Sequence, residues 1–340
     1  MNESQIEKVL QNKIQLLDGV SPLYALPNVS SMIGKNVYVK NDSNISLVYG
    51  ATKVRKLEYI LCEALARGAK NLVTIGSWGS NHVLAMALYC QKLGLGFHAV
   101  VVPQPYLPSV ERSLGCINST NAHLYFVKRE IFAPLKVWSL ITEMKRENRA
   151  PYFVYLGGSN AFGSMGTVSA AFEFLGQVKL NLKQDSPIYL ALGSGSSVAG
   201  LALGLALSGK KNPIKAIQVT SKTVMNQYVL DYQLNAAAKL LVGPSSIKSL
   251  VKLAKSLIHI DRRFLGKGYG WETMGGEKAI EIARLDDLEL DPVYTAKVFA
   301  GLLSERDHWQ EAVYWHTQST PLLLSQQQLG LPSWYLDYKK

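Results

Sequence analysis

Short apolar runs alternate with longer amphipathic segments along most of this chain. The runs are rich in Val, Ile and Leu, which predicts buried strands, and the longer segments place apolar residues three and four positions apart, which predicts helices. Strands followed by helices, in repetition, are typical of parallel sheets with helices on both faces. We therefore predict an α/β fold with strands at 36–40, 71–76, 97–102, 123–127, 151–156, 187–193, 214–219 and 312–316, and helices at 53–68, 81–94, 166–179 and 196–209.

The first of these helices begins at a cluster of three cations, Lys53, Arg55 and Lys56. Its apolar positions form one stripe, and Gly68 can adopt the left-handed conformation that often ends a helix. On this spacing Arg55, Lys56 and Glu58 point away from the stripe, while Lys53 lies at the entry of the helix. The stripe consists of Val54, Leu57, Ile60, Leu61, Ala64 and Leu65.

The length of 340 residues exceeds what one hydrophobic core usually serves, so we expect two domains. Hydrophobic residues make up 48% and charged residues 18% of the chain, which is the balance of a globular protein. The net charge is +11, but the 36 Lys and Arg are spread thinly along the sequence. A diffuse basic surface therefore explains the charge better than a nucleic-acid site does.

The three cysteines, Cys62, Cys90 and Cys116, are an odd number with no CxxC pair. The N-terminus is polar, and no apolar run approaches the roughly 18 residues that cross a bilayer. These features favour reduced thiols in a cytoplasmic protein with neither a membrane nor a nucleic-acid partner. We also expect no metal, because nothing near His82 supplies a second ligand at a fixed spacing.

Three predicted strands end in Gly- and Ser-rich turns that open helices. In open parallel sheets the ligand crevice lies outside the carboxyl ends of the strands, so the three turns indicate one crevice. In GSGSSVAG, Gly193–Gly200, backbone N–H groups and the helix dipole would converge on an anion, such as a phosphate held by Ser194, Gly195, Ser196 and Ser197. An ordinary tight turn is an equally good interpretation of this motif alone.

Three further motifs carry polar residues at the ends of elements. In SWGSNHV, the simplest role of Ser80 or Asn81 is that of a helix N-cap. In LDPVYTAK, Asp-Pro favours a turn, and Tyr294 would project from the start of the next helix. In VYWHTQST, Thr317 is a candidate hydrogen-bond donor at the polar tip of a strand. None of these motifs defines a function alone.

Taken together and in order, the motifs resemble a known family. The stretch VYVKNDSNISLVYGATKVRKLEYILCEALARGAKNLVTIGSWGSNHV is similar to part of the 1-aminocyclopropane-1-carboxylate (ACC) deaminase and D-cysteine desulfhydrase family, which are pyridoxal-phosphate (PLP) enzymes of the tryptophan synthase β fold, type II. YLGGSNAFGSMGTVSAAFEF, LGSGSSVAG and LDPVYTAK resemble the same family, so the similarity extends from about Leu23 to about Pro321. The resemblance implies two open, twisted, mainly parallel sheets with helices on both faces, bound PLP and a homodimer. It also implies a large PLP-binding domain, 1–54 plus 164–340, with a small domain, 55–163, inserted in it.

The resemblance implies roles for residues at matching positions near the cofactor. Lys53 matches the lysine that binds PLP covalently, and Lys56 matches a basic residue near its phosphate. Asn81 matches the residue that hydrogen-bonds the pyridine 3′-oxygen, and Ser80 matches a serine beside the substrate, placed for its carboxylate or for proton transfer. A lysine acts as a base when burial and neighbouring cations lower its pKa, which the Lys53 cluster allows.

The later motifs supply the rest of the implied site. The loop Ser194–Ser197 matches the phosphate cradle, and Tyr269 and Tyr294 match two tyrosines on the substrate side of the ring. The turn that contains Thr317 matches one near the pyridine nitrogen, which makes this residue a cofactor-binding candidate.

Several positions depart from the family pattern. Thr295 follows Tyr294 where the deaminase branch has Glu and the desulfhydrase branch has Thr, which favours β-elimination over opening of a cyclopropane ring. The other departures leave the identity of the substrate undecided. This chain has Ser43 where the family pattern has Asp, Ala51 and Thr52 where it has Gly and Asn, Gly79 where it has Gln, and Gln318 and Ser319 where it has a Gly-Gly pair.

We predict a PLP-dependent lyase on a small amino acid, most simply a D-cysteine desulfhydrase-like enzyme that releases pyruvate, ammonia and sulfide. Lys53 would serve as the base at Cα, Tyr294 and Tyr269 would steer the leaving group, and Ser80 would bind the carboxylate. ACC deamination, β-replacement or a specialised reaction on a larger substrate are alternatives within the same family. A non-catalytic PLP-binding descendant is the alternative from another class.

Overall fold

The computed structural model describes residues 3–105, 107–178, 183 and 185–318, which divide into two compact units. The first unit holds the described residues up to Tyr59 and from Ser159 onward, and the second holds Ile60–Gly158. The domain boundaries inferred from sequence, 54/55 and 163/164, both fall inside helices and stay a prediction.

The strands and helices follow one another in the alternation that the sequence predicts. The strands are β1 (Leu23–Ala25), β2 (Asn36–Asn41), β3 (Asn71–Ser77), β4 (Gly96–Val102), β5 (Ala122–Phe126), β6 (Pro151–Val154), β7 (Ile188–Leu192), β8 (Ile214–Gln218), β9 (Ile258–Asp261) and β10 (Glu311–His316). The helices are α1 (Glu3–Gln11), α2 (Pro27–Ile33), α3 (Ala51–Ala66), α4 (Asn81–Lys92), α5 (Pro108–Asn118), α6 (Ala133–Arg146), α7 (Ala161–Gln177), α8 (Ser196–Leu207), α9 (Gln227–Leu241), α10 (Pro244–Ser256), α11 (Met274–Ala283) and α12 (Thr295–Ser304).

Every predicted strand and helix is present, and apart from the start of α7 the observed bounds agree with the predicted ones to within two residues. The helix predicted from 166 begins at Ala161, because the Asn160 side chain accepts a hydrogen bond from the Gly163 N–H at 2.7 Å and caps it there. Its predicted last residue, Lys179, lies outside the described residues. The strand predicted to reach 156 ends at Val154, and Leu156–Gly158 form a 3₁₀ turn.

The sheet of the first unit has six strands in the order β1-β2-β10-β7-β8-β9. β1 runs antiparallel to β2, and the other neighbours are parallel. Successive side chains of β7 alternate between the two faces: Leu190 and Leu192 join the core of α7 and α8, and Tyr189 joins the opposite core with Phe299 of α12. This arrangement confirms a mainly parallel sheet with helices on both faces.

The second unit contains a four-stranded parallel sheet in the order β5-β4-β3-β6. Val73 and Val100 of its central strands pack with Val137, Leu140 and Met144 of α6. At its carboxyl end β3 leads through a short turn into α4, so the SWGSNHV motif lies where a parallel sheet offers a ligand edge.

Burial of α3 differs from the predicted single stripe. Arg55, Lys56 and Glu58, expected to point away from the buried face, are at most 2% exposed, whereas Leu65 of the stripe is 40% exposed. Glu58 is buried because its carboxylate pairs with Lys13 at 2.6 Å and accepts hydrogen bonds from two backbone N–H groups. Polar partners distant in sequence therefore bury charged residues that the helical pattern alone assigns to the other side.

Other features of the described residues concern cysteines, metals and membranes. Cys62, Cys90 and Cys116 form no disulfide there, and burial raises the pKa of the Cys90 thiol, which makes it unreactive. Over the same ranges, no group of three or more His, Cys, Asp or Glu is placed to hold a metal ion. None of the described helices is long and apolar enough to span a membrane.

Candidate functional site

The chain enters α3 through a tightly packed turn. A Cβ on Gly50 would lie 1.7 Å from the Ser43 carbonyl oxygen, so only glycine fits there. Ala51 has φ +70°, a left-handed conformation that costs a non-glycine residue about 1–2 kcal/mol. Its N–H donates to the Asp42 carbonyl at 2.7 Å, and the Thr52 hydroxyl donates to the Asp42 carboxylate at 2.7 Å. Asp42 thus fixes the position of the helix start.

Arg55 is held as a permanent cation by two carboxylates. Its guanidinium contacts Asp42 at 3.0 Å and Glu173 at 2.8 Å, and Trp315 Nε1 also donates to Asp42 at 3.0 Å. Burial alone would raise the pKa of Asp42. The charge and hydrogen bonds of Arg55, together with hydrogen bonds from Trp315 and Thr52, outweigh this effect and hold the pKa below its ordinary value. Arg55 therefore has a structural role at the base of α3.

Lys53 and Lys56 form a different kind of pair, because their side-chain amines hydrogen-bond to each other. Burial lowers the pKa of Lys53 to about 8, an effect partly offset by the hydrogen bond with Lys56. Burial also lowers the pKa of Lys56 well below its ordinary value, and the charge of Lys53 lowers it further. Two ammonium groups repel at this range, so the pair favours one neutral amine, which is the reactive form of a lysine.

The first turns of α7 tie the start of α3 to the start of α8. A Cβ on Gly166 would lie 2.2 Å from the Arg55 carbonyl oxygen, so the two helices touch through their backbones. The Thr167 hydroxyl contacts the Ser196 carbonyl oxygen at 3.2 Å, and a Cβ on Gly200 would lie 2.1 Å from that hydroxyl. The glycines at positions 166 and 200 thus let the starts of α3 and α8 both pack closely against α7.

The loop that follows β7 has the form of an anion cradle. Gly195 caps α8 with φ +98° and without a side-chain hydrogen bond. The Ser159 hydroxyl donates to Ser194 Oγ at 2.6 Å and lies 3.0 Å from Ser196 Oγ. Three hydroxyl groups and the N–H groups of a helix N-terminus thus meet at one loop, an arrangement that suits a phosphate. Sequence reasoning missed Ser159, although it lies in the GGSN motif.

The start of α12 is closed by an acidic cap. The Asp291 carboxylate accepts hydrogen bonds from the N–H groups of Val293, Tyr294 and Thr295 at 2.9, 2.6 and 3.1 Å. The Thr295 hydroxyl contacts the same carboxylate at 2.7 Å and the Gln318 amide at 3.1 Å. Asp291 is not among the residues that the sequence predicts for the site, although the Asp-Pro turn signal points to it.

The two predicted tyrosines lie together in the first unit. The Tyr294 hydroxyl donates to the Tyr269 hydroxyl at 2.8 Å, and the rings meet edge to face with centroids 5.8 Å apart. Burial, followed by the neighbouring Tyr269, raises the pKa of Tyr294 well above its ordinary value, so this phenol stays protonated. A Cβ on Gly193 would lie 3.5 Å from Tyr294 Cε1. The tyrosine pair therefore lies at the beginning of the loop Ser194–Ser197, here called the serine loop.

Ser80 and Asn81 belong to the second unit. Ser80 is the N-cap of α4 and accepts a hydrogen bond from the Val83 N–H at 3.4 Å, and half-buried Asn81 is the first residue of that helix. His82 is buried, and its Nε2 lies 3.3 Å from the Thr74 hydroxyl. Both site candidates therefore stand at the helix start where the sequence predicts them.

Two departures from the family pattern have a local explanation. A Cβ on Gly79 would lie 2.9 Å from Gln104 Nε2, and the Gly79 N–H donates to Gln104 Oε1 at 3.2 Å. The Gln104 side chain thus occupies the space that a longer residue at position 79 would need. Thr52 keeps a hydrogen bond to Asp42. Thr317 is half-buried directly after β10, and Ser319 lies outside the described residues.

Comparison with known proteins first gives the class of this protein. A family model described as pyridoxal-phosphate dependent enzyme matches residues 14–317, and the chain belongs to this family. The chain is 31% identical over 332 residues to a putative ACC deaminase of Pyrococcus abyssi, covering 91% of this chain and 92% of that protein. It is 32% identical over 298 residues to a D-cysteine desulfhydrase of Klebsiella pneumoniae, covering 86% and 87%.

The solved structures agree with this assignment. The crystal structure of an ACC deaminase homologue matches with a TM-score of 0.77 and 29% identity, over 94% of this chain and 95% of that one. A threonine deaminase from Solanum lycopersicum matches with a TM-score of 0.62 at 14% identity, which indicates the shared fold alone. Within its family, the protein is thus a PLP-dependent enzyme of the ACC deaminase and D-cysteine desulfhydrase group, with the type II fold.

The residues of the first unit fit this cofactor. The loop at Ser194 and Ser196 presents hydroxyl groups and a helix N-terminus without a side-chain cap, which are the donors that a phosphate needs. A Cβ on Gly195 would meet Met225 at 2.5 Å, so this conformation of the loop requires glycine there. Lys53 and Lys56 supply an amine of lowered pKa next to a second amine, as covalent binding of an aldehyde requires.

Proposed function

We propose that the protein is a D-cysteine desulfhydrase-like lyase, which converts D-cysteine and water into pyruvate, ammonia and hydrogen sulfide. The observation that carries this proposal is Thr295, whose neutral hydroxyl is held by Asp291 and Gln318. The deaminase branch that this sequence resembles has a glutamate at this position, and the desulfhydrase branch has threonine. The neutral group therefore supports elimination over ring opening.

Most of the proposed roles near the cofactor belong to residues of the first unit. PLP, when bound, supplies an electron sink for the substrate Cα. The Lys53 amine would hold the cofactor and move the proton at Cα, and its lowered pKa supports both tasks. Lys56 would lie near the phosphate, which Ser194–Ser197 would bind through hydroxyl and backbone N–H groups. Asn81 and Thr317 would hydrogen-bond the ring side of the cofactor.

The proposed substrate contacts are two tyrosines and a serine. Tyr294 is a protonated phenol hydrogen-bonded to Tyr269, so this pair would donate to the departing sulfur and orient it. Ser80 would bind the substrate carboxylate, as its place at the start of α4 supports. These three residues would determine which amino acid is accepted.

ACC deamination is the second candidate, and the name of the Pyrococcus relative favours it. Gln318 offers a specific way to compare the two, because its amide contacts Thr295 where the family pattern has glycine. In the elimination scheme, Gln318 would keep the Thr295 hydroxyl oriented, and Gln318→Gly would weaken turnover of D-cysteine without creating activity on the cyclopropane acid.

An assay of purified holoenzyme with D-cysteine, L-cysteine and ACC tests the proposal. We expect sulfide and pyruvate from D-cysteine in equal amounts, and little 2-oxobutyrate from ACC. Thr295→Glu should lower the rate with D-cysteine, and Thr295→Ser serves as its matched control because it keeps the hydroxyl. Preferential release of 2-oxobutyrate from ACC would overturn the proposal in favour of the deaminase.

We further propose a homodimer in the cytoplasm. The homodimer is implied by the family resemblance, and the cytoplasmic location by the three cysteines without a CxxC pair. Light scattering of the purified holoenzyme at several concentrations tests the first point, and a mass of one chain at all of them would contradict it.

A further inference from the structure

Lys297 is a buried lysine that none of the roles above uses. It is the third residue of α12 and is 0% exposed. A cation in the first turn of a helix is opposed by the helix dipole, and its removal from water is costly. An apolar side chain of the same length would avoid both costs, so the charge at this position points to a task that an apolar residue cannot perform.

The contacts of Lys297 identify that task. Its Nζ donates to the carbonyl oxygen of Leu265 at 2.9 Å and to that of Gly268 at 3.2 Å. Both carbonyls belong to the segment 262–272, here called the tyrosine loop, which connects β9 to α11. Tyr269 is the next residue after Gly268. One hydrogen bond of the Lys297 ammonium is therefore adjacent in the chain to the tyrosine that accepts a hydrogen bond from the Tyr294 hydroxyl.

The backbone of the tyrosine loop needs such an anchor. Three of its residues have positive φ angles, so the chain turns sharply here, and it forms neither a helix nor a strand between β9 and α11. A side chain with several donors can satisfy two carbonyls of such a loop at once, which an apolar residue cannot do. The three residues are Gly266 at +65°, Gly268 at +138° and Gly270 at +81°.

We propose that Lys297 is a positioning residue: it anchors the tyrosine loop through the carbonyls of Leu265 and Gly268 and thereby places the Tyr269 hydroxyl opposite that of Tyr294. α12 then fixes both members of the pair, Tyr294 at its N-cap and Tyr269 through Lys297. The anchor itself depends only on these contacts. Its consequence for substrate selection rests on the proposed function of the two tyrosines.

Limited digestion with trypsin of the cofactor-free protein tests the anchor without any assay of activity. Lys267 is exposed within the tyrosine loop, and cleavage after it reports how often the loop opens. Lys297→Met keeps the length of the side chain and removes its donors. We expect cleavage after Lys267 to become about tenfold faster or more, because hydrogen bonds to a charged group are lost.

The control for this digestion is Lys40→Met. Lys40 is equally buried, but its amine contacts Ser21, Glu173 and Gln177, away from the tyrosine loop. It reports what general destabilisation by a lost buried lysine does to cleavage at Lys267. Equal acceleration in both variants would overturn the anchor. If Lys297→Met does not fold, Lys297→Gln, which keeps one donor group, is compared with Lys40→Met in its place. It should still accelerate cleavage after Lys267 more than Lys40→Met does.

A double-mutant cycle separates positioning from a general effect on the fold. Tyr269→Phe removes the hydroxyl that Lys297 would position, so Lys297→Met should lower kcat/KM for D-cysteine several-fold in the wild-type background and clearly less in the Tyr269→Phe background. Fully additive effects on kcat/KM would contradict the positioning role. The same cycle is also measured as the urea midpoint of the cofactor-free protein, which needs no activity. Absence of any turnover of D-cysteine would refute the proposed function. The digestion and the urea unfolding would still decide the role of Lys297.

Discussion

Two helices of the first unit begin in opposite ways, and the difference separates the proposed phosphate site from the proposed substrate contacts. α8 begins at Gly195 with no side-chain cap and with the hydroxyls of Ser159, Ser194 and Ser196 around it. α12 begins under the carboxylate of Asp291, which accepts three backbone N–H groups. The uncapped N-terminus of α8 leaves its backbone N–H groups and its dipole available to an added anion. The N-terminus of α12 already has an anion, the Asp291 carboxylate, and can therefore hold side chains in place.

The largest effect that we expect from this contrast comes from a methyl group at the uncapped start. Gly195→Ala would place a Cβ 2.5 Å from Met225 and 2.6 Å from Gln233 Oε1, at φ +98°. We expect the free energy of unfolding of the cofactor-free protein to fall by about 2–4 kcal/mol and the affinity for PLP to fall at least about tenfold. Urea unfolding and absorbance titration with PLP measure the two quantities.

Gly209→Ala is the matched control for that variant. Gly209 lies just after α8 with φ +66° and has no atom within 4 Å of the added Cβ. It should lose about 1 kcal/mol of stability and keep its affinity for PLP. Equal loss of PLP affinity in both variants would mean that the serine loop is not the phosphate site.

The second prediction concerns the capped start. Asp291→Ala removes an acceptor of three backbone N–H groups and should cost about 2–3 kcal/mol of unfolding free energy, besides raising KM through displacement of Tyr294. Asn226→Ala removes a cap of α9 that accepts one N–H, from Val229, and should cost about 1 kcal/mol. If thermal unfolding shows the same loss of stability for both variants, Asp291 is an ordinary helix cap. That result would contradict the proposed difference between the starts of α12 and α8.

The pH dependence of stability reports on the buried cation of the capped helix. Burial lowers the pKa of Lys297 to about 8 from its ordinary 10.5, although Asp291 partly offsets it. Between these values the unfolded chain binds more protons than the folded one, so the free energy of unfolding rises with pH. We expect this rise to be about 1–2 kcal/mol smaller in Lys297→Met between pH 8 and about 9.5.

Chemical unfolding at a series of pH values measures that difference. Subtraction of the variant from the wild type cancels the contribution of Lys53, whose lowered pKa acts in the same direction in both proteins. It also cancels the buried tyrosines, such as Tyr314, whose raised pKa values act in the opposite direction above pH 10. Parallel pH profiles of the two proteins would show that Lys297 is not buried as a charged group.

The smallest expected effect lies at the start of α3, a third kind of helix start. Ala51 has φ +70°, and the family pattern that this sequence resembles has glycine at this position. Ala51→Gly removes the left-handed strain but adds flexibility to the unfolded chain, so we expect a net gain of about 0.5–1 kcal/mol. Differential scanning calorimetry would detect it as a higher melting temperature, and a lower one would show that the turn is not strained.

The sequence predicts the fold well because apolar strands and helices carry local, periodic signals. The strands 71–76 and 97–102, for example, are present almost as predicted, as β3 and β4. The buried charges of α3 carry no such signal. Arg55 pairs with Glu173, 118 positions away, and helical periodicity cannot indicate a partner at that separation. Helical periodicity therefore predicts the apolar stripe of α3, except for Leu65, but not the burial of the charged residues beside it.

The site divides in the same way between local and distant features. Motifs of a few residues indicated the serine loop and the cations of α3, because their chemistry is contained in adjacent positions. Ser159 and Gln104 were missed, since each acts on a loop far along the chain, at Ser194 and Gly79. The fold alone brings these side chains to the loops they complete.

Borohydride reduction of the PLP-loaded protein, followed by peptide mapping, shows directly which lysine carries the cofactor. Lys53 and Lys56 are hydrogen-bonded neighbours with lowered pKa values, so both are chemically able to bind an aldehyde. We expect the reduced phosphopyridoxyl group on Lys53, and a colourless, inactive Lys53→Ala variant. Label on Lys56 in the wild type, or turnover by Lys53→Ala, would contradict the role of Lys53 as the covalent anchor.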